Sequence, residues 1–163
     1  MEKAKTSKYF YIIIIAVVAI DQLAKFFVTG NIKTYETFTL IPHVISITNI
    51  ANSGIIFGML FQNNNAIVII SLLLVCFLLA WIILINMGKV KASFFSNLTF
   101  IAFYLIIGGA LSNIYDRIFR IAVVDYVNLN FMRFPIFNIA DIAITAGAIM
   151  LVWEIIFAKR ESN

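Results

Sequence analysis

Hydrophobic residues fall along the chain in four long runs, at 9–28, 66–87, 94–115 and 138–158. About 20 apolar residues carry a helix across the hydrocarbon core of a bilayer, so each run predicts one membrane-spanning helix. The second and third runs are joined by the short turn "MGKVKAS", which makes them antiparallel neighbours. The connections at 29–65 and 116–137 are long. In the first, "YETFTLIPHVISITNI" alternates and is rich in Thr, Ile and Val, a pattern that predicts short strands. The expected architecture is an all-α integral membrane protein forming one domain over residues 1–163. Four transmembrane helices carry a small β-sheet in the first outer loop, lying on the membrane surface. No internal repeat or low-complexity stretch is evident.

Composition agrees with this pattern. The chain is 63% hydrophobic and 12% charged, with a mean hydropathy of +1.01. A soluble domain of this size needs far more charged surface. The net charge of +4 does not point to a nucleic-acid partner, because the basic residues flank the apolar runs. Lys3, Lys5 and Lys8 precede the first run, Lys89 and Lys91 lie in the short turn, and Lys159 and Arg160 follow the last. Basic residues mark the cytoplasmic side, so both termini are expected there and the two long connections, sheet included, outside. Lys33, Arg117, Arg120 and Arg133 fall on the outer side and weaken this bias without reversing it. The first run resembles a signal peptide, but no small-residue cleavage site follows it, so it reads as a retained anchor. Cys76 sits within an apolar run and predicts plain packing. His43 has no ligand partner nearby, so neither a metal nor another cofactor is expected.

Against this apolar background the ionisable residues converge. In an antiparallel arrangement "GGALSNIYDR" places Asn113, Asp116 and Arg117 at the outer end of the third helix. "FNIAD" places Asn138 and Asp141 at the outer start of the fourth, and "IAVVDYVN" brings Asp125 between them. Ionisable groups at membrane depth are expensive and mark function or tight pairing. Each also has a plainer explanation. Asn138 and Asp141 have the spacing of a capping box, and an acid there suits the helix dipole. Asp116 and Arg117 could form an interfacial ion pair, and Gly108, Gly109 and Ser112 could let helices approach closely. Asp125 fits no capping pattern and has apolar neighbours on both sides. In "DQLAK", Asp21 and Lys25 stand one helical turn apart, acid first, the favourable order for a structural ion pair. "NIANSGIIFG" adds Asn52, Gly54 and Gly58 in a loop before the second span.

Taken in order, "DQLAK", "NSGIIFG", "GGALSNIYDR", "VVDYV" and "FNIAD" resemble the lipoprotein signal peptidases, the type II signal peptidases of bacteria. The resemblance runs from Asp21 to Asp141. It implies a multi-pass aspartyl endopeptidase of the bacterial cytoplasmic membrane, with its active site near the extracytoplasmic face. Such an enzyme removes the signal peptide from diacylglyceryl-modified prolipoproteins by cutting before the lipidated cysteine. The resemblance assigns the catalytic pair to Asp125 and Asp141. It gives Asn52, Gly54, Asn113, Arg117 and Asn138 to substrate binding or to support of the pair, and leaves Asp21, Lys25 and Asp116 structural. The expected partners are the lipidated precursor and membrane lipids, and the expected state is a monomer. Ile55 and Ile56 depart from the small residues usual after Gly54, Ser112 stands where glycine is common, and Tyr126 where phenylalanine is common. No departure removes a carboxylate.

Two rival readings use the same acids. A small proton-coupled transporter or channel would place ionisable groups near the bilayer midplane. Only Asp21 reads as deeper than the outer edge, with Lys25 as its partner. A non-catalytic scaffold would use Asp141 as a cap and pair Asp125 with Arg120 or Arg133.

Overall fold

The computed structural model describes residues 11–54, 64–90 and 96–157. Within them the chain forms α1 (Tyr11–Asn31), β1 (Thr37–Ile41), β2 (Ile45–Asn52), α2 (Asn64–Asn86), α3 (Asn97–Phe119), β3 (Val123–Leu129) and α4 (Ile139–Phe157). All four helices are long and apolar enough to cross a membrane. Lys3, Lys5, Lys8, Lys91, Lys159, Arg160, Ile55, Ile56 and Gly58 lie outside the described residues. So do residues 9–10, 94–95 and 158 of the expected runs.

Helix ends follow local chemistry more than hydropathy. α3 begins at Ser96, whose hydroxyl accepts from the Leu98 and Thr99 amides at 3.0 and 3.4 Å. α2 closes on Gly88, which takes a left-handed φ of 73° that favours glycine. The Gly88 amide then bonds Ile85 O and the Lys89 amide bonds Leu84 O, satisfying carbonyls the helix leaves open. α3 runs past the expected limit at 115 to Phe119, so Asp116 and Arg117 belong to its last turns. The apolar run is interrupted at Asp116, but the helix persists because Asp116 is paired sideways to Lys25 of α1.

α3 is the central helix and packs against the other three. Glycines set how closely. A Cβ on Gly108 would stand 3.0 Å from Val17 Cβ of α1, and one on Gly109 would collide with the Ala140 carbonyl of α4. One on Gly147 would reach Ala102 O at 2.7 Å, so α3 and α4 touch backbone to backbone at two levels. Phe100, Tyr104 and Ile107 fill the interior of α3's contacts, together with Ile82 of α2. The outward faces of α1, α2 and α4 are apolar and exposed. Cys76 lies on such a face, which corrects the expectation of packing inside.

The sheet is antiparallel in the order β1-β2-β3. β1 and β2 are the short strands expected in the first outer loop, and they form a hairpin that turns through His43 at a φ of 60°. β3 comes from the second connection, so the sheet ties the two connections together. Val123, Val124, Tyr126 and Val127 favour a strand. The carboxylate in their midst hid that signal in the sequence.

Candidate active site

Asp125 sits at the middle of β3, opposite Ile50 of β2, and only 3% of its surface is exposed. Two amides meet its carboxylate. Asn52 Nδ2 donates to Oδ2 at 2.8 Å, and Asn138 Nδ2 donates to Oδ1 at 2.7 Å. Asn52 is held by its own loop: its Oδ1 accepts from the Gly54 amide at 2.9 Å. Gly54 has a φ of 105°, a conformation side chains rarely adopt, which explains a glycine at this turn.

Asp141 lies in the first turn of α4, and every amide of that turn is accounted for. Asn138 caps the helix: its Oδ1 accepts from the Asp141 amide at 2.9 Å, and its own amide donates to Asp141 Oδ2 at 3.2 Å. This is the reciprocal capping box. The Ile139 amide donates to the Tyr126 hydroxyl at 3.3 Å, and the Ala140 amide to Asp21 Oδ1 at 3.1 Å. The Ile142 amide reaches Asn138 O. Asn113 Nδ2 donates to Asp141 Oδ1 at 2.8 Å. Each of the four carboxylate oxygens thus accepts a hydrogen bond, and Asn138 bonds both acids.

Behind the pair lies a buried ionic cluster. Lys25 Nζ stands 2.7 Å from both Asp21 and Asp116, and all three side chains are fully buried. Ser112 Oγ donates to Asp21 at 2.6 Å, and Gln22 Nε2 donates to Ser112 Oγ and to Asp116. Arg120 pairs with Asp116 and also donates to Gln22 Oε1. The expected Asp21–Lys25 spacing is therefore part of a larger knot joining α1, α3 and α4. Asp116 pairs with Lys25 and Arg120 rather than Arg117, because i,i+4 side chains share a helix face and adjacent ones do not. Arg120 is committed to Asp116, which removes it as the scaffold reading's partner for Asp125. Asp21 meets the second residue of α4, so it belongs to the level of the cluster instead of a separate depth. Arg117 donates to Asn113 O at 3.4 Å and lies within the electrostatic reach of Asp141, Asp125 and Asp116.

Sequence reasoning passed over Gln22 and considered Arg120 only as a partner for Asp125, missing its pairing with Asp116. The Asp116–Arg120 spacing, acid first, was the available signal for that pairing. Gln22 had none, since its role depends on which face of α1 meets α3. Among the described residues no three His, Cys, Asp or Glu side chains gather as a metal site.

Burial pushes the Asp125 carboxyl up to about 6. The Asn52 hydrogen bond works against this, Asp141 adds to it, and Asn138 and Lys25 oppose it. Burial likewise raises the Tyr126 hydroxyl, which stays neutral. A carboxyl raised by folding stabilises the protein while protonated, and that contribution is lost as pH rises through about 6. Asp125→Asn should therefore gain stability relative to the parent between pH 4 and pH 8, by about 2–3 kcal/mol. Thermal unfolding of both proteins across that range checks it, and a constant difference contradicts it.

The family model for signal peptidase (SPase) II matches residues 13–157. A lipoprotein signal peptidase of Streptococcus agalactiae serotype Ia is 34% identical over 152 residues, 93% of this chain and 93% of its own. One from Streptococcus pyogenes serotype M2 is 32% identical over 148 residues, 89% of this chain and 91% of its own. Two bacterial membrane enzymes solved by the in meso method share the fold. One, at 2.3 Å resolution, has a TM-score of 0.86 and 27% identity, covering 100% of this chain and 96% of its own. The other, at 1.9 Å, has a TM-score of 0.80 and 29% identity, covering 96% and 98%. With a match across nearly the whole chain, four apolar helices and two aspartates bridged by one asparagine, the chain belongs to the signal peptidase II family.

Proposed function

We propose that Asp125 and Asp141 are the catalytic pair of a membrane aspartyl endopeptidase. It removes the signal peptide from diacylglyceryl-modified prolipoproteins, cutting just before the lipidated cysteine. The observation that carries this reading is Asn138, which donates to Asp125 from its side chain and to Asp141 from its backbone.

Two neighbouring carboxyls do not both ionise easily, so the pair holds one proton to a pH well above that at which a free carboxyl loses it. The ionised member accepts a proton from water as the water attacks the scissile carbonyl. The protonated member donates to the developing oxyanion, and a proton then passes to the leaving amine. The pair titrates as a unit. Asn52, Asn113 and Asn138 hold the carboxylates in place, Gly54 shapes the loop that aims Asn52, and Arg117 offers forked donors to substrate oxygens. Asp21, Lys25 and Asp116 fix the helices beneath.

A lipidated precursor keeps its acyl chains and signal helix in the bilayer, so its cleavage site meets the enzyme near an interface that water reaches. The pair lies where α3 ends and α4 begins, beside the sheet, which supports a site near the extracytoplasmic face and disfavours a midplane transporter. Both termini are then cytoplasmic, in the bacterial cytoplasmic membrane. One peptidase domain over 1–163 acts as a monomer surrounded by membrane lipids. The test compares a prolipoprotein with and without its diacylglyceryl group as substrate for the purified protein in detergent. Preferential cleavage of the lipidated form is expected; equal cleavage of both contradicts lipid-directed recognition.

A further inference from the structure

A carboxamide has one end that donates and one that accepts, and turning it over exchanges them. Which end of each active-site asparagine faces the acids is therefore a matter of what holds the other end. The Oδ1 atoms of Asn52 and Asn138 are held by backbone amides, those of Gly54 and Asp141. Backbone donors are always present. Asn113 is different. Its Oδ1 accepts from Lys25 Nζ at 3.0 Å and from Asn138 Nδ2 at 3.2 Å, leaving Nδ2 to donate to Asp141 Oδ1 at 2.8 Å.

An ammonium has three donors and no acceptor. Those of Lys25 are directed at Asp21, Asp116 and Asn113, and the group is fully buried. It therefore meets only the oxygen end of the Asn113 amide. We infer that Lys25 of α1 is a positioning residue for the reaction: by taking Asn113 Oδ1 it keeps the amide N–H aimed at Asp141. This rests on Asp125 and Asp141 being the catalytic pair. Without the cation only the 3.2 Å bond from Asn138 Nδ2, a group shared with Asp125 and Val124 O, holds that end, and the amide is free to turn over and present its oxygen to Asp141. Two oxygens then face one another unless the acid is protonated, so the pair holds its proton to higher pH.

The other charged and titratable groups facing the pair are Asp21 from α1, Asp116 and Arg117 from α3, and Tyr126 from β3. Lys25→Met alone leaves Asp21 without its counter-charge. The second variant, Lys25→Met with Asp21→Asn, removes the ion pair as a neutral unit and keeps an oxygen for the Ala140 amide. Both variants and Asn113→Ala are assayed as full-length proteins on a diacylglyceryl-modified prolipoprotein across pH. In the double variant kcat should fall on the order of 10–100-fold with KM within about twofold, as for loss of alignment rather than of binding. The pH of maximal activity should move upward by about one unit, and Asn113→Ala should move it the same way. Adding the double variant's changes to Asn113→Ala should shift the optimum no further. An unchanged optimum in Asn113→Ala, or in a folded double variant, overturns the inference. So does a shift that simply adds to that of Asn113→Ala. Turnover by Asp125→Asn would instead sink the catalytic pair itself.

Discussion

Asp125→Asn and Asp141→Asn each lower cleavage of a lipidated precursor by at least roughly 10³-fold while the protein stays folded. An amide is isosteric with the acid but accepts no proton from water and donates none to the leaving amine. Each acid–base role is worth about 10²–10⁴-fold, and each aspartate serves in more than one step. Folding survives because the side chains keep an oxygen for one of the surrounding donors. Groups that act as a unit are not additive, so the double variant should be little worse than either single. Turnover rates with matched circular dichroism spectra check this. Retention of near-normal turnover by either variant would show that the pair is assigned wrongly.

Gly109→Ala has the second largest expected effect. The added methyl meets the Ala140 carbonyl below van der Waals contact and Ile144 Cγ1 at 2.8 Å. Neither neighbour is the loose end of a flexible chain, so α4 must move away from α3. Ala140 precedes Asp141, whereas Asp125 is anchored on β3, so the displacement separates the two acids. Overpacking of this kind costs about 1–3 kcal/mol, and a misplacement of about 1 Å costs about 10²-fold in rate. Gly30→Ala is the control. Nothing stands within 4 Å of that Cβ, and alanine is the better helix former, so activity should be retained. Activity and melting temperature measured on both variants decide; a fully active Gly109→Ala contradicts the close α3–α4 contact.

Much of this was legible in the sequence because a bilayer forces a simple code. Twenty apolar residues announce a span, and a carboxylate at its edge stands out. Asn138 and Asp141 announced their capping box through spacing alone. What stayed hidden required three dimensions. β3 belongs to a sheet whose other strands lie across α2 and α3 in the sequence, and Asp125 broke its apolar pattern. Lys25 was visible as a partner for Asp21, but its bonds to Asp116 and Asn113 span most of the chain. Gln22 depends on how α1 is rotated against α3. Cys76 misled because an apolar run in a membrane protein has two apolar surroundings, the helix interior and the lipid.

The central claim is that this chain uses two aspartates to cut a lipidated precursor at one bond. The most direct measurement incubates the purified parent with a diacylglyceryl-modified prolipoprotein in excess chelator and determines the product masses. The expected result is a single cut that leaves the lipidated cysteine as the new N-terminus. An intact precursor, a cut at another bond, or cleavage abolished by the chelator would contradict it.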